Sequence, residues 1–119
     1  MKGSKNYIIG NWKSNKNRQD VKNWFDMYEK QSLSSTKSAN IETVICPVYL
    51  HLEYAKNEIS SRQLQLKLGA QDISPYDIGS YTGEVAGSQL NEIVSFVLIS
   101  RSNNLYETVC AIKLPRVLE

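Results

Sequence analysis

The apolar positions of this chain follow two different periods. A β-prone run at residues 7–9 comes first and is closed by Gly10. Four apolar residues then recur at the i, i+3, i+4 and i+7 spacing of a helix: Val21, Trp24, Phe25 and Tyr28. Asn17, followed three positions later by Asp20, resembles a capping box. The pattern therefore predicts a strand followed by a helix that begins near Asn17.

The same alternation continues to about residue 99. The predicted elements are a strand at 43–46, a helix at 50–59, a strand from residue 64, a loop at 71–83, a short helix at 85–93 and a strand at 94–99. Strands separated by helical crossovers form a parallel sheet with helices packed outside it. Two architectures fit this order: a small doubly wound sheet, or part of a (β/α)8 barrel, whose usual length of about 250 residues is roughly twice this one.

Composition narrows the functional class. The chain has 119 residues, 41% of them hydrophobic, and 14 Lys and Arg against 12 Asp and Glu give a net charge of +2. These values indicate one soluble globular domain and imply neither a nucleic-acid nor a membrane partner. The longest apolar run, at 96–99, is far shorter than a membrane span, and the first residues do not resemble a secretory signal. We expect a cytoplasmic protein.

Cysteine, histidine and glycine usage excludes several kinds of site. Two cysteines, Cys46 and Cys110, cannot build a disulfide framework or a four-ligand zinc site, and Cys46 is expected to be a small buried hydrophobe. The single histidine, His51, is expected to be an exposed or capping helix residue rather than a ligand. No glycine-rich nucleotide-binding motif follows the first strand. We therefore expect neither a metal ion nor a cofactor.

The end of the first strand carries the candidate chemistry. Asn11 and Lys13 flank Trp12, and alternation in an extended segment would point both side chains out of the carboxyl end of the sheet, where α/β folds bind ligands. A lysine there can attract a phosphate or stabilise a developing enolate oxygen. The alternative interpretation is an exposed lysine beside a turn asparagine.

Three segments, taken together, resemble one enzyme family. Gly10-Asn11-Trp12-Lys13-Ser14-Asn15 resembles the first-strand signature G-N-W-K-x-N of triosephosphate isomerase. Cys46-Pro47 is similar to the family's segment after strand two. The third and most specific segment, residues 69–72 with 79–84, resembles G-A-Q-N/D followed by G-A-F/Y-T-G-E. The resemblance spans about residues 7–99 and implies a partial (β/α)8 (TIM) barrel of about four βα units with a parallel sheet.

The resemblance also implies roles for individual residues. The family interconverts dihydroxyacetone phosphate and glyceraldehyde 3-phosphate by abstracting a proton next to a carbonyl. Lys13 resembles its active-site lysine, which binds the anionic substrate and stabilises developing charge, and Asn11 resembles its substrate-contacting asparagine. Thr82, Gly83 and Glu84 lie in what resembles the loop that reaches into the second subunit of the family's homodimer.

The family's histidine, which follows strand four, has no counterpart here. A gap-free alignment places Arg101 at the histidine and Asn103 at the family's glutamate, and arginine stays charged where a neutral imidazole is needed. A small deletion is the alternative, because Tyr106-Glu107-Thr108 resembles a later aromatic-x-E-T pattern. The catalytic base, the closing loop and the phosphate-gripping glycines belong to the family's second half. We therefore expect no appreciable isomerase activity from this chain alone.

These observations predict an amino-terminal half-barrel at residues 1–99 and a divergent tail at 100–119, with neither strand nor helix predicted in the tail. Four βα units leave bare sheet edges at strands one and four, so we expect association with a second copy or a complementary half-barrel. One hypothesis is a truncated, split or frameshifted isomerase. A second is a non-catalytic interaction protein that keeps the loop around Thr82. A third is another phosphosugar-binding βα protein that uses the cations of the tail, Arg101, Lys113 and Arg116.

Overall fold

The computed structural model of the chain describes the backbone of residues 3–35, 38–102 and 107–115. Side chains are described for residues 3–35, 38–99 and 110–115. Asn103, Tyr106 and Arg116 lie outside the described residues. The elements, in chain order, are β1 (Asn6–Asn11), α1 (Arg18–Ser32), β2 (Ile41–Cys46), α2 (Tyr49–Ser61), β3 (Lys67–Ala70), α3 (Gly87–Leu90), β4 (Phe96–Ser102) and β5 (Glu107–Lys113).

One five-stranded sheet in the order β1-β2-β3-β4-β5 forms the centre of the molecule. The first four strands are parallel, with Asn11 paired to Cys46 and Ala70 paired to Val97. The prediction of a partial barrel with a parallel sheet is confirmed over these strands. The sheet is curled. Strands β2 and β3 lie between β1 and β4, yet the ring centroids of Tyr7 on β1 and Phe96 on β4 are only 5.5 Å apart.

The first helix forms as its sequence predicts. Asn17 is its N-cap: the Asp20 N–H donates to Asn17 Oδ1 (2.9 Å), and the Asn17 N–H donates to Asp20 Oδ2 (3.0 Å). This reciprocal pair satisfies two backbone donors that the helix itself leaves open. Val21 and Phe25 are buried against the sheet. The ring of Trp24 stacks on that of Tyr28, with the ring centroids 4.9 Å apart.

Arg62, at the end of α2, connects the two long helices. Its guanidinium donates to Asp26 and Glu29 of α1 and to Glu58 of α2 at 2.7, 2.8 and 2.7 Å. Only 17% of the Arg62 side chain is exposed, so these ion pairs are better shielded from water than ordinary surface pairs. Arg62 thereby fixes how α1 and α2 lie on the outer face of the sheet.

Each face of the sheet has its own core. On the helix-covered face, Ile45, Leu68 and Val97 pack with Val21 and Phe25. The inner, concave face holds four buried residues: Val44, Cys46, Phe96 and Leu98. Gly69 permits this close packing, because a Cβ there would lie 2.7 Å from Cys46 Sγ.

Three element predictions were wrong: the start of the third strand, the bounds of the fourth strand, and the absence of a strand from the tail. The third strand starts at Lys67 rather than at residue 64, because the end of α2 uses the preceding residues: the Leu64 N–H donates to Ile59 O (3.0 Å) and Gln63 has a φ of 52°. The tail, in which no strand was predicted, contains β5. This strand pairs antiparallel with β4, from Phe96 with Lys113 to Ser102 with Glu107. The edges of the described sheet are therefore β1 and β5, not β1 and β4.

Candidate functional site

Asn11 and Lys13 are held together by a turn. Asn11 is the last residue of β1, and Lys13 has left the strand conformation with a φ of 51°. The Lys13 N–H donates to Asn11 Oδ1 at 2.9 Å, the bond of an Asx turn. The structure thus brings the two predicted site residues together. The alternation rule does not apply at Lys13, however, because it holds only while the backbone stays extended.

Gln71, immediately after β3, joins three strand ends. Its Nε2 donates to the carbonyl oxygens of both Lys13 and Cys46, each at 2.8 Å. The Trp12 N–H also donates to Cys46 O (3.1 Å). One amide therefore fixes the backbone of Lys13 against the end of β2, which lowers the cost of its left-handed conformation. The sequence alone did not predict this role, although Gln71 lies in the segment Gly69-Ala70-Gln71-Asp72 that resembles a family motif.

The segment behind Lys13 is supported by Trp12 and His51. The Trp12 ring lies 5.0 Å from that of Trp24, and the Lys16 ammonium lies 5.2 Å from the Trp12 centroid. His51 Nε2 donates to Lys16 O at 3.2 Å, which requires the proton on Nε2. His51 is only 7% exposed, and Val48 is the N-cap of α2. The expectation of an exposed or capping histidine was wrong: this ring holds the loop backbone.

The loop between β3 and α3 has internal order while its tip is exposed. Thr82, Gly83 and Glu84 are exposed, and the Glu84 N–H donates to Tyr81 O (3.1 Å). Gly83 has a φ of 83°, a conformation that glycine adopts without a steric penalty. Tyr81 stacks on Tyr76 with their ring centroids 4.4 Å apart. Contacts within the loop thus determine its shape.

Electrostatics separates structural groups from candidate reactive ones. Burial raises the pKa of the Cys46 thiol to about 11, so it is not a nucleophile near neutral pH. Its predicted burial is confirmed. Burial, followed by the charges of Asp72 and Glu84, raises the pKa of the Tyr49 hydroxyl to about 12. Among the residues whose side chains are described, no three His, Cys, Asp or Glu come together as a potential metal site, and no described helix is long and apolar enough to cross a membrane.

The comparison with protein families decides the relationship of this chain. A family model described as triosephosphate isomerase matches residues 6–105. This chain belongs to the triosephosphate isomerase family. The match contains β1 to β4, the turn at Asn11 and Lys13, and the loop around Thr82.

Individual relatives agree. The chain is 40% identical over 87 residues to the triosephosphate isomerase of Mycoplasma genitalium. The aligned segment covers 73% of this chain and 33% of that relative. It is 37% identical over 101 residues to that of Mycoplasmoides pirum, covering 82% and 63%. It is 34% identical over 97 residues to that of Polynucleobacter asymbioticus, covering 80% and 38%. The chain thus spans between one third and just under two thirds of the length of these relatives.

Position 101 departs from the arrangement expected of the family. Arg101 lies within β4 and pairs with Thr108 of β5, so its backbone is part of an antiparallel ladder. The prediction of a strand at 94–99 is therefore wrong in its bounds, since β4 spans Phe96–Ser102. The polar residues after Ile99 do not end β4, since β5 supplies their hydrogen-bond partners.

Proposed function

We propose that this chain supplies the asparagine–lysine part of a triosephosphate isomerase site. In this proposal the Lys13 ammonium attracts the phosphorylated triose and stabilises negative charge on the substrate oxygen during enolisation. The observation that supports it is the turn in which Asn11 Oδ1 accepts from the Lys13 N–H while Gln71 holds the Lys13 carbonyl. These bonds hold the backbone of Lys13, which limits where its ammonium can lie, and a charged group that is positioned in advance contributes more to catalysis than one that must first reorganise. The family suggests a cytoplasmic role in glycolysis and gluconeogenesis.

We propose further that the 119-residue polypeptide does not turn over substrate by itself. Proton abstraction next to a carbonyl requires a positioned base and a group that polarises the carbonyl. His51 is buried and bonded to Lys16 O, and Arg101, which a gap-free alignment places at the family's histidine, cannot act as a neutral imidazole. Catalysis then depends on groups that the resemblance assigns to the family's second half-barrel.

The test combines turnover with binding. The purified polypeptide is assayed for conversion of dihydroxyacetone phosphate, and binding of the same compound is followed by amide chemical shifts. We expect no measurable turnover, together with weak binding that Lys13→Met abolishes. Lys30→Met is the matched control, because Lys30 lies in the last turn of α1 and its loss should leave binding unchanged. Normal turnover would contradict the second proposal, and binding that is indifferent to Lys13 would contradict the first.

A non-catalytic interaction role is the second candidate, and the loop between β3 and α3 favours it. Ile78 is 69% exposed beside the Tyr76–Tyr81 stack, so an ordered loop presents apolar surface to solvent. In this case the loop joins two copies of the chain in a homodimer. Self-association that Thr82→Glu weakens and Lys13→Ala leaves intact would support this role over ligand binding.

A further inference from the structure

Among the residues that the structure describes, the outer edge of β5 is left open as a template for another strand. One side of β5 pairs with β4 along its whole length, from Lys113 with Phe96 to Glu107 with Ser102. No described strand pairs with the other side, because β5 is the last strand of the sheet. Three consecutive residues of β5, Cys110, Ala111 and Ile112, are exposed. An edge that is exposed, apolar and free of proline readily accepts a further strand.

The sequence of β5 is complementary to itself. The strand reads Glu-Thr-Val-Cys-Ala-Ile-Lys, with Cys110 at its midpoint and opposite charges at its two ends. In a two-fold antiparallel pair centred on Cys110, position 107 of each copy takes the register position opposite 113 of the other, so an acidic residue is placed across from a basic one. The uncharged residues between them face one another. Opposite charges placed directly across an antiparallel pair stabilise it, whereas like charges destabilise it.

We propose that the outer edge of β5 binds the same edge of a second copy of this chain, as a two-fold antiparallel pair centred on Cys110. Each copy contributes the five strands of its sheet, so the two sheets become continuous. A two-fold interface uses the same patch on both copies, which the charge pattern of β5 satisfies. This surface is separate from the loop around Thr82 and involves neither Asn11 nor Lys13.

The register of the pair follows from the charges. Shifting one copy by a residue would leave Glu107 and Lys113 without their opposite partners and would turn the apolar side chains to the other face. The other edge strand, β1, has uncharged Asn6 and Asn11 at its ends and so offers no comparable signal for self-pairing. The charge pattern therefore favours β5 over β1 as the edge that joins two copies.

Charge reversal tests the pairing directly. Sedimentation velocity across the micromolar range would compare the unchanged chain with Lys113→Glu, with Glu107→Lys and with the two combined. Either single variant makes both end pairs of the dimer repulsive, so we expect the dissociation constant to rise about tenfold or more. The combined variant restores opposite charges at both ends and should regain the original value within about threefold.

Lys67→Glu is the matched control for effects inside one copy. Lys67 and Lys113 line the same surface cavity of about 500 Å³ and both act on the carboxylate of Glu42, but Lys67 lies on β3, away from the edge. We expect Lys67→Glu to leave the dissociation constant unchanged. Circular dichroism of each variant would establish that it is folded.

Thiol crosslinking tests the register. Opposite residues of an antiparallel pair have Cα atoms about 4.5–5.5 Å apart, within the range of about 4.4–6.8 Å that a disulfide spans. Cys110 is exposed and Cys46 is buried, so diamide, which accepts the two hydrogens that the thiols lose, should join Cys110 to its copy. In the control, Cys110→Ser combined with Ala111→Cys, the two Cα atoms at position 111 are diagonal neighbours more than about 7 Å apart, so crosslinking should fall at least about tenfold.

Three results would overturn the proposal. The first is a chain that stays monomeric throughout the concentration range. The second is a dimer whose dissociation constant is indifferent to Lys113→Glu and Glu107→Lys, or one that Thr82→Glu alone disrupts. The third is loss of association in the single variants with no recovery when they are combined, because only a self-complementary pair predicts that recovery.

Discussion

The carboxyl ends of β1 and β4 lie at the same end of the sheet, yet they are built differently. At β1 the chain leaves the sheet after Asn11 and makes a turn that presents Lys13. At β4 the chain stays in the sheet to Ser102 and returns antiparallel as β5. One strand end thus becomes a loop carrying a candidate reactive group. At the end of β4, the residues up to Ser102 are hydrogen-bonded to β5 as part of the sheet.

The difference shows what a parallel strand end requires in order to carry a functional side chain. The turn after β1 depends on hydrogen bonds from outside itself, chiefly those of the Gln71 amide to Lys13 O and Cys46 O. After β4, the hydrogen-bond partners come from a neighbouring strand, which pairs Arg101 with Thr108. A strand that continues satisfies its backbone but leaves no loop there to hold a catalytic residue.

The largest expected effect comes from truncating the core on the helix-covered face of the sheet, where Phe25 packs with Ile45, Leu68 and Val97. Phe25 is fully buried, so Phe25→Ala should destabilise the fold by about 3–5 kcal/mol through lost contacts and a cavity. Ile112 on β5 is 44% exposed, and Ile112→Ala should cost less than about 1 kcal/mol. Urea unfolding at low protein concentration, followed by tryptophan fluorescence, measures both free energies of unfolding.

Equal losses in these two variants would contradict the comparison, since they would mean that β5 supports the fold as strongly as α1 does. Met27→Ala on α1 is the control for a change of helix propensity, because Met27 is 60% exposed and on the same helix as Phe25. Its effect should stay below about 1 kcal/mol.

The sequence was sufficient wherever local signals determine structure. The Asn17–Asp20 cap and the burial of Val21 and Phe25 follow from side-chain chemistry and helical period within a few turns. The same reasoning failed at β5, whose central residues do not alternate between polar and apolar, and which forms because β4 offers an unpaired edge. The reasoning also failed at residue 64. Apolar and polar residues already alternate there, but Leu64 belongs to the turn that ends α2 rather than to β3.

The candidate site could be predicted only in part, for a related reason. Asn11 and Lys13 are two residues apart, so their proximity was predictable even though the turn was not. The bonds of Gln71 to Lys13 and Cys46 span 58 and 25 positions of sequence. No local pattern encodes such bonds, which appear only once three strands have been brought into register.

Removing the Gln71 amide should loosen the turn at Lys13. Gln71→Leu leaves the carbonyls of Lys13 and Cys46 without this donor, and we expect a loss of about 1–3 kcal/mol. Amide hydrogen exchange should rise at Lys13, whose N–H is bonded to Asn11, and stay unchanged at the Arg101 position of β4. Gln19→Leu, at an exposed position of α1, is the matched control. Equal exchange increases at both strand ends would indicate general loosening rather than a role of Gln71 at this turn.

The smallest expected effect is an acid sensitivity centred on α1. A hydrogen bond from Lys22, followed by one from Arg62, holds the pKa of the Asp26 carboxyl below its ordinary value of 3.8. The folded state therefore binds protons less readily there than the unfolded state, so this contribution is present above that ordinary value and is lost as the pH falls through the lowered pKa. Asp26→Asn should be less stable than the unchanged chain at pH 7, and the difference should shrink below about pH 4. Lys22→Gln removes the hydrogen bond from Lys22 to Asp26 and should reduce the same pH dependence. If the difference in unfolding free energy between Asp26→Asn and the unchanged chain stays constant from pH 7 to pH 2, Asp26 is not the source of the acid sensitivity.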